Sequence, residues 1–180
     1  MLREQLEQYV AAMADQAAVV GQFRAFLEEP DSFQRSRPDG HFTGAAWLVS
    51  ADGQRVLLTH HRKLDRWLQL GGHADGDEDL RRVALREAEE ESGLNGLVVE
   101  PEIFDLDRHW IPERGEVSGH WHYDVRFVVR ATGDERYVVS EESHDLAWRD
   151  IRSIAEDIDA DESLRRMAGR WLDRQRQRRE

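Results

Sequence analysis

Apolar residues recur at intervals of three and four from Leu2 to about Glu29, through Leu6, Tyr9, Val10, Met13, Ala17, Val20, Phe23 and Leu27. That period predicts an amphipathic helix with a break near Gly21, ended by Pro30, whose stripe packs against the domain or a second copy of the chain. The polar run 31–40 reads as a loop. Residues 41–50 and 55–59 are strand-like, and the Asp52-Gly53 pair between them signals a hairpin. Trp67 to Leu70 reads as a short strand feeding a turn at Gly71-Gly72. The helical period returns from about Glu78 to Ser92, and Gly93 stands where a left-handed cap would stop it.

Past that helix, Leu97 to Leu106 looks extended and continues to Ile111, with Pro101 favouring a bulge or a sheet edge. Residues 112–116 make a loop. His120 to Arg130 alternates: His120, His122, Asp124, Arg126 and Val128 share one face, while Trp121, Tyr123, Val125, Phe127 and Val129 share the other. Tyr137 to Val139 reads as a brief strand, Glu141 to Asp145 as a loop, and Leu146 to Trp148 as the last strand. A helical turn from Asp150 and a helix from about Asp161 to Arg176 follow, the latter burying Leu164, Met167, Ala168, Trp171 and Leu172. This order of elements predicts an α/β fold, a mixed β-sheet flanked by helices on both faces. One domain spans 1–180, with an N-terminal helical extension over about 1–30.

Composition narrows the function. A chain of 180 residues, 39% apolar, is long enough to bury one core. Its formal net charge of -12 sets the mean field against nucleic acid and anionic membranes. A polyphosphate ligand would be repelled too, unless cations bound to the protein offset the field. The chain has no cysteine, which removes disulfides, thiolate chemistry and cysteine-based zinc sites. No apolar run reaches the roughly 18 residues of a membrane span, and the N-terminus is charged throughout, so a cytoplasmic location is expected. The basic tail RQRQRR reads as a solvated helix end.

The densest chemistry lies between Gly71 and Leu94. Glu87, Glu90 and Glu91 stand at i, i+3 and i+4, so a helix brings their carboxylates to one face. Like charges at that spacing repel, so the face is either well solvated or built to hold a cation. Counted from Gly72, the pattern is glycine, five residues, Glu78, seven residues, Arg86-Glu87, apolar Ala88, any residue, Glu90-Glu91, any residue, Gly93, apolar Leu94. This resembles the complete signature of the Nudix hydrolases, with all seven fixed residues in place.

The resemblance implies a Nudix-type α/β/α sandwich and a hydrolase that uses Mg2+ or Mn2+ to cleave a pyrophosphate bond in a nucleoside diphosphate derivative or related substrate, by water attack on phosphorus. It makes Glu87, Glu90 and Glu91 metal ligands, joined by the Gly71 carbonyl. It casts Arg86 and Glu78 as braces of the loop and helix. Two candidates stand for the general base: Glu90, and the pair Glu141-Glu142, of which Glu142 lies in a context similar to the loop that closes over many Nudix sites. The chain departs from the commonest family form at Leu70, where many members carry proline, and at His73, in place of a lysine or small residue.

Outside the motif, Arg62 and Lys63 form the adjacent basic pair on its N-terminal side and are candidates to meet phosphate. His73, His120, His122 and Tyr123 are candidates to line the substrate pocket. His120, His122 and Asp124 also suggest a zinc site on one strand face, which would supply two nitrogens of a tetrahedral set; the carboxylates favour a hard-metal centre on the motif helix instead. Trp67, Trp110, Trp121 and Tyr123 are open choices for stacking on a base. Other readings are a Nudix-fold nucleotide-binding or regulatory protein without turnover, which would not need every glutamate, and an isomerase, which would normally use a cysteine. A homodimer through the N-terminal helix is a further expectation.

Overall fold

The computed structural model describes residues 1–62, 65–139 and 143–178. The N-terminal stripe forms two helices, α1 (Leu2–Ala12) and α2 (Ala17–Leu27), joined by a 3-10 turn over Ala14–Gln16. The break therefore falls at Met13 to Gln16 and not at Gly21. Gly21 sits in open space within α2, where a glycine costs about 1 kcal/mol relative to alanine yet keeps the hydrogen-bond ladder. The bend lets Leu2, Leu6 and Tyr9 of one helix and Val20, Phe23 and Phe26 of the other reach the same core. Of the two expectations for this stripe, packing against the domain is the one observed.

Six strands form one sheet: β1 (Gly40–Val49), β2 (Arg55–His61), β3 (Arg66–His73), β4 (Val98–Ile111), β5 (His120–Arg130) and β6 (Ser143–Asp150), in the spatial order β4-β5-β1-β3-β2-β6. The pairing of β1 with β5 is parallel and the other neighbours are antiparallel. Every residue of β1 is buried, as expected of a central strand covered on both faces. Phe42, Val125 and Phe127 pack under α1, α2 and the motif helix α3 (Leu80–Ser92). Trp47, Val49, Val56 and Val128 pack under α4 (Ile151–Glu156) and α5 (Glu162–Gln177) on the opposite face. Helices on both faces of a mixed sheet make the Nudix-type α/β/α sandwich.

Local differences from the sequence reading have physical causes. Gly71-Gly72 is not a turn: β3 runs through both, opposite Ala45 and Gly44 of β1, because glycine backbones let the strands and α3 approach closely. Residues 137–139 form no strand; the Val138 N–H instead donates to the Ser92 carbonyl at 2.8 Å. Residues 143–145 belong to β6, whose pairing with β2 reaches His61. The expectation at Pro101 holds, since β4 is an edge strand whose register shifts between Val99 and Ile103 and again by Asp105. Among the described residues, no helix is long and apolar enough to cross a membrane.

Candidate active site

Helix α3 is fixed at both ends. Asp79 caps its N-terminus by accepting from the Arg82 N–H at 3.2 Å. Gly93 ends it at φ 68°, a left-handed conformation in which a side chain would be strained. Between these stops the glutamates meet β3. Glu91, buried, accepts from the Gly71 N–H at 2.7 Å. The Glu87 carboxylate lies against Gly72, where any Cβ would strike it. At Gly71 a Cβ would stand 2.7 Å from the Ala45 Cβ and 2.9 Å from the Gly44 carbonyl oxygen, so close approach of the two strands requires that glycine, whereas at Gly72 it is the Glu87 carboxylate that would have to move. Arg86 bonds the Glu87 carboxylate at 2.9 Å and the His73 carbonyl at 3.1 Å, bracing the helix against the end of β3. Glu90 is exposed on the same helix, as is Glu78 ahead of it.

The three carboxylates do not close on a single point; among the described residues the group whose ligand atoms lie together is His41, His73 and His122. The glutamates nevertheless suit a hard cation. Mg2+ keeps several waters and takes only one or two protein carboxylates together with substrate phosphates, and carboxylate oxygens flanking a strand end with an exposed Glu90 provide that donor set.

The candidates outside the motif separate sharply. Arg62, exposed at the end of β2, donates to the Ser143 carbonyl at 3.1 Å. Lys63, Glu141 and Glu142 lie outside the described residues. His120 and His122 project from the sheet face opposite α3, 3.2 Å apart through their Nε2 atoms, and His73 reaches the same face from β3. Tyr123 needs correction as a pocket residue: it points the other way and stacks on Phe26 with ring centroids 3.9 Å apart, inside the core under α2. Strand alternation forces that orientation, since its neighbour His122 faces outward. Asp124 is also no ligand, because it accepts from Thr43 Oγ1 at 2.8 Å, Arg126 Nε at 2.7 Å and Gln69 Nε2 at 3.3 Å.

Arg126 anchors a buried ion network on this face. It reaches Asp105 at 3.1 Å and Asp107 at 3.3 Å as well as Asp124, and Arg166 of α5 joins Asp105 at 2.8 Å and Asp107 at 2.9 Å. Burial alone would raise the Asp107 carboxyl, but the His109 hydrogen bond and the Arg126 and Arg166 charges outweigh it and hold the group ionised, well below its ordinary range.

Two histidines unremarked in the sequence, His41 and His109, complete the face. Opposite residues in the ladders are His41 with His122 and His122 with His109, which sets the three in a row across β1, β5 and β4. His73 enters from β3, beside His41, at a ring distance of 5.0 Å. The only sequence signal was strand parity, and it became readable once β1 was known to pair with β5. Burial, reinforced by His73 and His120, lowers His41 to about 4. Burial, reinforced by His41 and His73, lowers His122 to about 2. Both imidazoles are neutral near pH 7.

An acid-stability consequence follows from the sign of those shifts. Below the ordinary histidine value of about 6.5 the unfolded chain binds protons that folded His41 and His122 refuse, so stability is lost as pH falls from there towards 4. Each histidine should contribute a slope of at most ~1.4 kcal/mol per pH unit. Urea unfolding of the metal-free protein should show a lower midpoint at pH 5 than at pH 7; equal midpoints would contradict the burial of neutral rings.

A NUDIX domain profile matches residues 40–170, and the chain belongs to the Nudix family. Its class is that of a Nudix pyrophosphohydrolase. Solved structures share the fold. The MutT protein from Methanosarcina mazei Go1 is 20% identical with a TM-score of 0.60, over 78% of this chain and 97% of that one. A NUDIX-family hydrolase from Clostridium perfringens is 22% identical with a TM-score of 0.56, over 75% and 97%. The E. coli dihydroneopterin triphosphate pyrophosphohydrolase is 17% identical with a TM-score of 0.55, over 74% and 95%. No curated protein sequence matches the chain.

Proposed function

We propose that the protein is a Mg2+- or Mn2+-dependent hydrolase that cleaves a pyrophosphate link in a nucleoside diphosphate derivative or related substrate, with Glu87, Glu90, Glu91 and the Gly71 carbonyl holding the cation. The observation that carries this reading is the docking of Glu87 and Glu91 onto Gly72 and Gly71. It commits two buried or half-buried carboxylates to one strand end and leaves Glu90 facing solvent beside them. When bound, the cation neutralises phosphate charge and lowers the pKa of coordinated water. A chain of net charge -12 needs that local neutralisation to admit a polyphosphate.

The chain's own part is to position. The Glu91–Gly71 hydrogen bond and the Arg86 bridge from Glu87 to the His73 carbonyl keep helix and strand in register. Glu90, exposed on α3, is the first candidate for the general base, and Glu142 is the second. Arg62 lies at the edge where β2 meets the start of β6, suited to a substrate phosphate, with Lys63 beside it in sequence. Gln69, His73 and His122 offer polar groups on the adjoining sheet face.

The test is a hydrolysis screen over sugar nucleotides, dinucleoside polyphosphates, nucleoside triphosphates, dihydroneopterin triphosphate and nonnucleotide pyrophosphates, with Mg2+, Mn2+ or EDTA. Cation-dependent turnover of one class, with label from 18O-water appearing in a phosphate product, is the expected result. Tight nucleotide binding with no turnover across the panel would replace this reading by that of a binding or regulatory protein.

A further inference from the structure

We infer that His41, His73 and His122 form a second metal centre, separate from the motif glutamates and built for a divalent transition-metal ion such as Zn2+. One ligand nitrogen from each of the three lies within 4.8 Å of the others. The residues come from β1, β3 and β5, so three adjacent strands of the sheet hold the site. A tetrahedral zinc ion with nitrogens at its usual bond length sets them roughly 3.4 Å apart. Ring rotations of about an ångström at His73 and His122, neither fully buried, close that gap.

Burial supplies the independent reason. His41 is 2% exposed, and neither of its ring nitrogens makes a hydrogen bond. The Arg37 main chain is near enough to favour its protonation slightly, without hydrogen-bond geometry. A buried polar ring left unpaired costs about 1–3 kcal/mol, and buried polar atoms in folded proteins are almost always satisfied. Ligation satisfies one of the two nitrogens. The rings of His73, His120 and His122 all stand within 5.0 Å of His41 by centroid, so the unpaired edge is surrounded by further imidazoles.

Two further imidazoles border the three. His120 donates from Nδ1 to the Ser118 carbonyl at 2.8 Å, which leaves its Nε2 lone pair facing His122. His109, whose ring packs on His122, is held by the Asp107 carboxylate at 3.0 Å. These contacts fix the rings of His120 and His109, which border the proposed ligands without belonging to them. An all-imidazole set selects Zn2+, Co2+, Ni2+ or Fe2+ over Mg2+, the reverse of the carboxylate site. Three protein ligands leave a fourth position for water or a substrate oxygen. The two centres share the end of β3: Gly71 and Gly72 receive Glu91 and Glu87, and His73 turns to the other face.

The test uses tag-free protein stripped with EDTA and titrated with Co2+ while its visible d–d absorption is read, followed by displacement with Zn2+. One Co2+ per chain with the intense bands of four- or five-coordination, apart from any weakly absorbing octahedral Co2+ on the motif carboxylates, is expected, with a rise in thermal midpoint on adding Zn2+. His41→Ala, His73→Asn and His122→Asn should each weaken Co2+ binding at least about a hundredfold, more than loss of an outer-shell partner. Glu90→Gln/Glu91→Gln should leave the bands intact, which separates this centre from the hydrolytic one. His73→Asn, at a half-buried position, guards against misfolding of the His41 variant, and circular dichroism confirms the fold of each. Weak octahedral bands alone, no bound Co2+, or unchanged affinity of the intensely absorbing Co2+ in folded His73→Asn and His122→Asn would overturn the proposal.

Discussion

Glu90→Gln and Glu91→Gln should each lower kcat by a hundredfold or more, about 3 kcal/mol of barrier, with the fold unchanged. The two variants test different parts of one arrangement. Glu90 is exposed on α3, so neutralising it removes charge from the cation site and a proton acceptor without disturbing packing. Glu91 is 7% exposed and accepts from the Gly71 N–H at 2.7 Å. Glutamine retains an oxygen for that bond, so the docking of α3 on β3 survives while the negative charge does not. Steady-state kinetics on the substrate found by the screen, with thermal melts of both variants, measure this. Full activity in both would remove the motif carboxylates from the chemistry.

The second large effect is on stability and lies away from the glutamates. Arg126→Met should destabilise the protein by about 3–5 kcal/mol, the range for deleting one partner of a buried ion pair. Arg126 is 2% exposed and stands among Asp105, Asp107 and Asp124. Asp105 and Asp107 would keep Arg166, whereas Asp124 would keep only the Thr43 hydroxyl and the Gln69 amide. Methionine fills the volume but leaves the Asp124 charge without a counter-ion under the sheet. A shift in the urea midpoint with an unchanged slope is the expected signature. A loss below about 1 kcal/mol would mean that water reaches the network.

This network also explains a limit of strand parity as a guide to function. The alternation of His120, His122, Asp124 and Arg126 is real, and all four share a face. Half of that face is architecture: Arg126 and Asp124 neutralise each other and tie β5 to β4 and α5. The histidines lie at the other end of the strand, beyond the cover of α5. Composition alone could not divide them, because the division depends on where a helix from the far end of the chain comes to rest.

The sequence by itself determined what is local. The 3.6-residue period of the helices, the Asp79 and Gly93 stops of α3, and the spacing that brings Glu87, Glu90 and Glu91 to one side all follow from neighbours a few residues apart, as does the bulge at Pro101. That is why the motif, and the family with it, was legible before any fold was known. Only the tertiary structure decided what is non-local. It placed Gly71-Gly72 within a strand beneath α3, turned Tyr123 into the core, spent the N-terminal stripe within the chain, and set His41 of β1 beside His122 of β5 and His73 of β3. Parallel pairing of strands some eighty positions apart leaves no periodic trace in either strand. Imidazoles that look like scattered polar residues along the chain become one cluster when the sheet closes.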